Sequence, residues 1–390
     1  MLTHAPLDTP ASRRARARII DLAREGPADA AFLQEVSAQL QRVIPFTAAF
    51  WSASDPLTSL ATSPARVEHL DGQCERFWER EFLLPDVNLF RDLARADRPV
   101  GSLYRATDGR PMRSARYREL HQDLGYGDEL RAVFRTGQVP WGMVSLWRED
   151  GQSAFSLAEE KLVADLSPLI AEAFRRAVLV KAASADDIPS APGLLVFDAD
   201  GQLESFNGPA EAWLQELRSP SFDEGREELL ASPTEVRGVV ALTHAIAAGV
   251  EQGIARAHVQ GRSGRWLVIE GSPLRAAEGS ASRTAVMIQA APASDLAPLF
   301  VEAYDLTPRE QQLTQLIARG HATAAIAERL SLSPHTVRDY VKSVFEKVGV
   351  SSRGELVARL FADHHQGTAV RLHRARAARR DVMRGRHAPT

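Results

Sequence analysis

Cysteine is almost absent. Cys74 is the only one in 390 residues, so the chain forms no internal disulfide, no thiolate metal cluster and no CxxC redox pair. A lone cysteine of this kind reads as a small core hydrophobe. Long apolar runs are missing too, and nothing approaches the roughly 18 apolar residues of a membrane span. Arg13, Arg14, Arg16 and Arg18 are followed only by "IIDLA", too short for the core of a signal peptide. A cytoplasmic protein without membrane contact is the expectation. No G-x-x-x-x-G-K-[ST], G-x-S-x-G, HExxH or G-x-G-x-x-G occurs, and no Asp/Asp/Lys phosphoreceiver set is visible. With no catalytic constellation, an enzyme is not expected. "DADG" at 198–201 lacks the third acid of a calcium loop and has Pro209 where its twelfth-position Glu belongs. His121, His244 and His258 stand singly, and Cys74 lies outside the segment where a photochemical flavin would need a thiol. No cofactor or metal is expected.

What is present is an uneven charge. The formal net charge is −3. Residues 305–365 hold eight Lys/Arg against seven Asp/Glu, and residues 366–390 hold seven Arg against one Asp, which leaves −10 for the rest. An acidic body ending in a basic tail directs a polyanion partner to the C-terminal end.

Apolar spacing makes residues 12–44 helical, with Ile19, Leu22, Phe32, Leu33, Val36 and Leu40 on the inner face. "FTAAFW" reads as a strand, and "AVF" with "MVSLW" as a hairpin around "RTGQVPWG". Ser156 and Glu159 form a capping box for a long helix. A second α+β unit opens with two strands joined by Asp200-Gly201, a strong hairpin signal, and closes with three more strands. "SADDIPSAPG" and "APASDLAP" read as linkers. The boundaries expected are a basic segment over 1–18, a domain over 19–183, a linker over 184–192, a domain over 193–290, a linker over 291–304, a helical domain over 305–364 and a tail over 365–390. No internal repeat is visible.

The helical domain carries the clearest punctuation. Thr307-Pro308-Arg309-Glu310 is a capping box with Pro at N1. Thr323 caps a short second helix. Ser333 caps a third, again with Pro334 at N1, and Gly349 stops it. Val337, Val341, Val344, Phe345 and Val348 form its apolar face, while His335, Arg338, Asp339, Lys342 and Glu346 lie on the other. Ser351 or Ser352 starts a fourth helix bearing Leu356, Val357, Leu360 and Phe361. Two helices joined by a turn make a helix-turn-helix. Arg338 and Lys342 can reach a major groove, and Thr336 with the helix N-terminus offers donors to phosphate.

Residues 306–361 resemble the LuxR/NarL-type DNA-binding domain. "LTPRE", Gly320, "IA" at 326–327, "LSLSPHTV", "K-V-G-V" at 347–350 and "SR-EL" carry the likeness. It implies an all-α four-helix domain whose third helix reads DNA. The DNA-contacting set expected is Thr323, Ser333, His335, Thr336, Val337, Arg338, Tyr340, Lys342 and Lys347, with Leu356, Val357 and Leu360 as a dimer contact. Thr323-Ala324-Ala325 departs from the Asn-Lys-Glu usual there, so one phosphate-binding Lys is missing. Residues 191–290 resemble a PAS domain through "PGLLVFDADGQLESFNGPAEAWLQEL" and "GRWLVIEGSPLR". Residues 19–182 are similar to the GAF-like module found ahead of such domains, through "IPFTAAFWSASDP" and "WGMVSLWRE". Both folds place a cavity between sheet and helices, and Trp51, Trp78, Tyr104, Tyr117, Tyr126, Trp141 and Trp147 are its candidate lining. The expected fold class is multi-domain: two α+β sensory domains followed by the helical domain. The expected partners are operator DNA, an inverted repeat met by a homodimer, and a small-molecule effector. A signalling adaptor that works by PAS or GAF contacts without specific DNA binding stays open as the alternative.

Overall fold

The computed structural model describes residues 9–70, 74–179, 191–217, 233–275, 283–357 and 359. The chain divides into two compact units, residues 1–290 and 291–390.

The first unit opens with α1 (Pro10–Glu25) and α2 (Ala30–Gln41). Thr9 accepts the Ser12 N–H and Asp29 the Phe32 N–H, so each helix starts where a side-chain oxygen satisfies a free amide. The residues expected to form a separate basic segment are thus partly helical. Ala15, Ile19 and Ala23 of α1 are buried, while Arg13, Arg14, Arg16 and Arg18 are exposed. The first sheet comprises β1 (Ala48–Ser54), β2 (Ala61–Glu68), β3 (Val100–Ser102), β4 (Tyr126–Thr136) and β5 (Val139–Glu149), in the spatial order β2-β1-β5-β4-β3 and antiparallel throughout. Helices α3 (Cys74–Phe82), α4 (Phe90–Arg95), α5 (Leu103–Ala106) and α6 (Leu157–Val178) complete it. Every residue of β1 is buried, because both faces of the sheet are covered. On one face Trp51 stacks on Phe134, and Phe134 on Phe174 of α6, with ring centroids 5.9 and 6.2 Å apart. On the other, Phe50 meets Phe77 and Trp78 of α3.

The second sheet comprises β6 (Gly193–Phe197), β7 (Leu203–Phe206), β8 (Ala255–Gln260), β9 (Trp266–Leu274) and β10 (Arg283–Ala290). It carries α7 (Gly208–Leu217) and α8 (Thr234–Ala247). Its spatial order is β7-β6-β10-β9-β8. Numbered from its own first strand, this is the order of the first sheet: 2-1-5-4-3. The topology therefore repeats where the sequence shows no repeat.

The two sheets share one apolar core. Phe50, Leu60 and Trp78 belong to the same buried cluster as Val236, Val239 and Ile269. Polar contacts cross the junction as well. Asp55 accepts the His258 N–H at 2.8 Å and lies 2.9 Å from its Nδ1. The Ser63 hydroxyl donates to Glu235 at 2.6 Å, and Arg91 pairs with Glu251. His258, isolated from other histidines in the sequence, is a junction residue. Most of the 184–192 linker lies outside the described residues.

The second unit contains α9 (Ala293–Ala303), α10 (Pro308–Ala318), α11 (Thr323–Leu330), α12 (Pro334–Val348) and α13 (Arg353–Val357). Helix α9 corrects the linker expected over 291–304. Its Pro and Ala composition suggested a linker, but Leu296, Leu299, Phe300 and Ala303 are buried, and packing overrides propensity.

Candidate functional site

Helices α11 and α12 are joined by Ser331, Leu332 and Ser333. Ser331 takes the left-handed conformation at φ 54°, and the Leu332 N–H donates to the Ala327 carbonyl. Ser333 then caps α12, accepting the Thr336 N–H at 3.0 Å, with Pro334 at N1 where a missing N–H costs nothing. Gly349, at φ 72°, ends the helix in the region that favours glycine. Thr323 opens α11 but does not cap it: the N-cap position is Ala322, with no side-chain bond. The Thr323 hydroxyl accepts instead from Arg353 at 2.8 Å, and Arg353 also donates to the His321 carbonyl.

Val337, Val344 and Val348 turn inward. At 100° per residue, His335, Arg338, Asp339, Lys342 and Glu346 fall within an arc of about 100° on the opposite side. His335 lies 3.0 Å from Asp339, and Lys342 lies 3.9 Å from Glu346. Ser333, His335, Arg338 and Lys342 are exposed, and Thr336 and Tyr340 are half-buried.

Three expected site residues are placed differently. Val337 is 0% exposed, so it has no surface to offer a duplex. The Lys347 ammonium is held within the domain, donating to Glu310 at 2.8 Å and to the Asp305 carbonyl at 3.0 Å. Leu356 is buried in the domain's own core and is not free to form a dimer contact. Val357 is half-buried, and Leu360 lies outside the described residues.

Glu310 is the residue whose full part the sequence did not reveal. Its place in the capping box was legible: it accepts the Thr307 N–H at 2.7 Å. It also accepts the Ser343 hydroxyl at 2.6 Å and the Lys347 ammonium, tying α10 to the far face of α12. Burial alone would raise its carboxyl, but the hydrogen bonds from Lys347, Ser343 and Thr307 outweigh it and hold the pKa at about 2.

A second candidate site lies in the first unit. Phe50, Phe77, Trp78, Tyr126 and Trp147 enclose a small apolar cavity with His121 as its most polar lining group. The cavity volume is about 30 Å³, enough for a water or two. Of the aromatic set expected, Trp78, Tyr126 and Trp147 line it, whereas Trp51 and Trp141 are buried elsewhere. Tyr104 and Tyr117 border a separate open cleft. His121 Nε2 accepts from Trp147 Nε1 at 3.2 Å. Burial lowers the imidazole pKa to about 4, so the ring is neutral and Nδ1 carries its proton. That Nδ1 is buried without a partner among the described residues. On the Nε2 side of the ring, 3.9 Å away, Glu129 accepts from Arg116 at 2.9 Å and from Arg131 at 2.7 Å, and Arg131 also pairs with Glu81. Burial alone would raise the Glu129 carboxyl, but the two guanidiniums hold it well below the usual range. Among the described residues no cluster of three or more His, Cys, Asp or Glu could hold a metal, and no helix is long and apolar enough to cross a membrane.

Comparison with known proteins places the C-terminal unit. Residues 305–360 match the family described as bacterial regulatory proteins, luxR family. The transcriptional regulatory protein DesR of Bacillus subtilis is 41% identical over 61 residues, 16% of this chain and 31% of that protein. UhpA of Escherichia coli is 45% identical over 56 residues, 14% of this chain and 29% of that protein. The chain thus spans about a third or less of the length of these relatives. The solved structure of Escherichia coli SdiA covers 90% of this chain and 97% of its own at 11% identity, with a TM-score of 0.32. The capped helices, the turn between α11 and α12 and the family match agree: residues 305–360 are a helix-turn-helix domain of the luxR family of bacterial regulatory proteins.

Proposed function

We propose that the chain is a sequence-specific DNA-binding transcription regulator whose first unit senses a small molecule and controls the C-terminal domain. The observation that carries the reading is the outward arc of α12, with His335, Arg338 and Lys342 exposed on a capped helix of a luxR-family domain. Arg338 and Lys342 face the base edges, while Ser333, Thr336 and Tyr340 border the phosphates. The arc also carries Asp339 and Glu346, so it has no net charge of its own. The general attraction to phosphate then falls to cations elsewhere, and the seven arginines of residues 366–390 are the largest supply.

The repeated 2-1-5-4-3 order supports reading the two sheets as GAF-like and PAS-like sensory modules. The effector site is the aromatic cavity beside His121. Its small volume means that an effector must displace lining side chains on entry, and α3, which lines it, packs against α8 of the second sheet.

The regulator acts as a homodimer on an inverted repeat, since one recognition helix covers too few base pairs for specific affinity in a genome. Footprinting of the intact chain on genomic fragments tests this. Two protected half-sites about one helical turn apart are expected. A single asymmetric half-site at saturation overturns the dimer, and protection without sequence preference overturns the regulator.

A further inference from the structure

The outward arc of α12 contains an anion where a duplex presents its negative charge. Asp339 sits one turn after His335, between the directions of Lys342 and Thr336, and its side chain is 68% exposed. One carboxylate oxygen accepts from His335 Nδ1 at 3.0 Å, and the other accepts no hydrogen bond among the described residues. Glu346, the other acid on the arc, lies two turns further from the helix N-terminus and faces Lys342. Base contacts gather towards the N-terminal end of a recognition helix, and Asp339 lies nearer that end than Glu346, so Asp339 is the acid that goes into the groove.

A carboxylate only accepts hydrogen bonds. Phosphates repel it, and guanine O6 and N7 and thymine O4 are acceptors as well. The donors of a major groove are the adenine N6 and cytosine N4 amino groups. Adenine sets its N7 lone pair beside that amino group, and a carboxylate placed there meets an acceptor. On the cytosine edge the amino group stands alone. His335 holds one oxygen and leaves the other for a single donor.

We infer that Asp339 is a specificity-determining residue that selects cytosine at one position of each half-site, with His335 as the residue that positions its carboxylate. The inference rests on the DNA-binding reading above and deepens it: it says what this helix reads, and against which bases it discriminates.

Selection of bound duplexes from a random pool tests it, using the full-length chain and the D339A and D339N variants. The wild type should enrich a half-site with cytosine in one column. In D339A that column alone should lose its preference, by roughly 5- to 150-fold, while the other columns hold and binding to random duplex strengthens. In D339N the column should move to adenine, because a carboxamide matches both N6 and N7. An unchanged column in D339A overturns the inference, as do changes spread over several columns. Complete loss of binding in both variants with wild-type circular dichroism also overturns it, since a base-choosing residue does not carry the whole affinity. Loss of the fold in both does the same, since an exposed side chain with one hydrogen bond does not hold a domain. If the wild type enriches no sequence, the DNA-binding reading itself fails, and that outcome is distinct from the others.

Discussion

Glu310 is 3% exposed, and its two oxygens take hydrogen bonds from Thr307, Ser343 and Lys347. Its carboxyl titrates at about 2 when folded, below the value of roughly 4.3 in an unfolded chain. The stability it adds is therefore complete above about pH 5 and is lost as the pH falls towards 2. Glu310→Gln keeps a capping partner but removes the charge. It should cost about 1–2 kcal/mol at pH 7, allowing for solvent screening at the domain surface, and almost nothing near pH 2; urea titrations of residues 291–390 at several pH values measure the difference. Arg338→Ala should leave that stability alone and cost about 1–3 kcal/mol at the operator, relaxing the choice at one base pair. Gel shifts against operator and mismatched duplexes check it. The caps at Thr307, Ser333 and Ser156 were legible in the sequence because capping is settled within four residues. Val337, Lys347 and Leu356 were misplaced for the opposite reason. Which of a helix's residues are taken up by the domain itself depends on partners such as Glu310, 37 residues from Lys347.

Among the elements, α6 packs close against the first sheet because Gly142 of β5 leaves room for the Phe174 ring; a Cβ at that position would overlap it. Gly142→Ala should destabilise the first unit by about 1–3 kcal/mol through this overpacking, seen as a lower denaturation midpoint with an unchanged m-value. Sequence periodicity found α1, α2, α6, β1, the β4–β5 hairpin and all five strands of the second sheet, at least in part. It missed β2, β3, the short helices α3, α4 and α5, and α8. Strand β2 is half-buried without clean alternation, and β3 is three residues long. Helix α8 is buried nearly all round, since it packs between the second sheet and the first, so no polar stripe marks its period. The same packing rule turned the apparent linker at 291–304 into α9.

At the scale of the whole molecule, the first unit is held together by a junction that includes a buried acid. Burial pushes the Glu235 carboxyl above its usual range, and the Ser63 hydroxyl only partly counters it. An acid with a raised folded pKa favours folding in its protonated form, so its contribution is intact below roughly pH 4.3 and is lost as the pH rises from there to the folded pKa. Glu235→Gln keeps a partner for Ser63 without the charge. It should leave stability unchanged near pH 4 and raise it by about 1–3 kcal/mol at pH 7, measured by denaturation at both. Neither the shared core nor the repeated strand order could be read from the sequence, because topology is a property of pairings between residues far apart. That strand order has a consequence for synthesis. In each sheet the first strand made lies beside the last one made, β1 with β5 and β6 with β10. Each sheet therefore stays open while about 100 residues emerge, roughly 5–20 s on a ribosome. The first strand waits through that interval with an unsatisfied edge and an apolar face, so each half of the first unit depends on protection of its nascent chain until its fifth strand arrives.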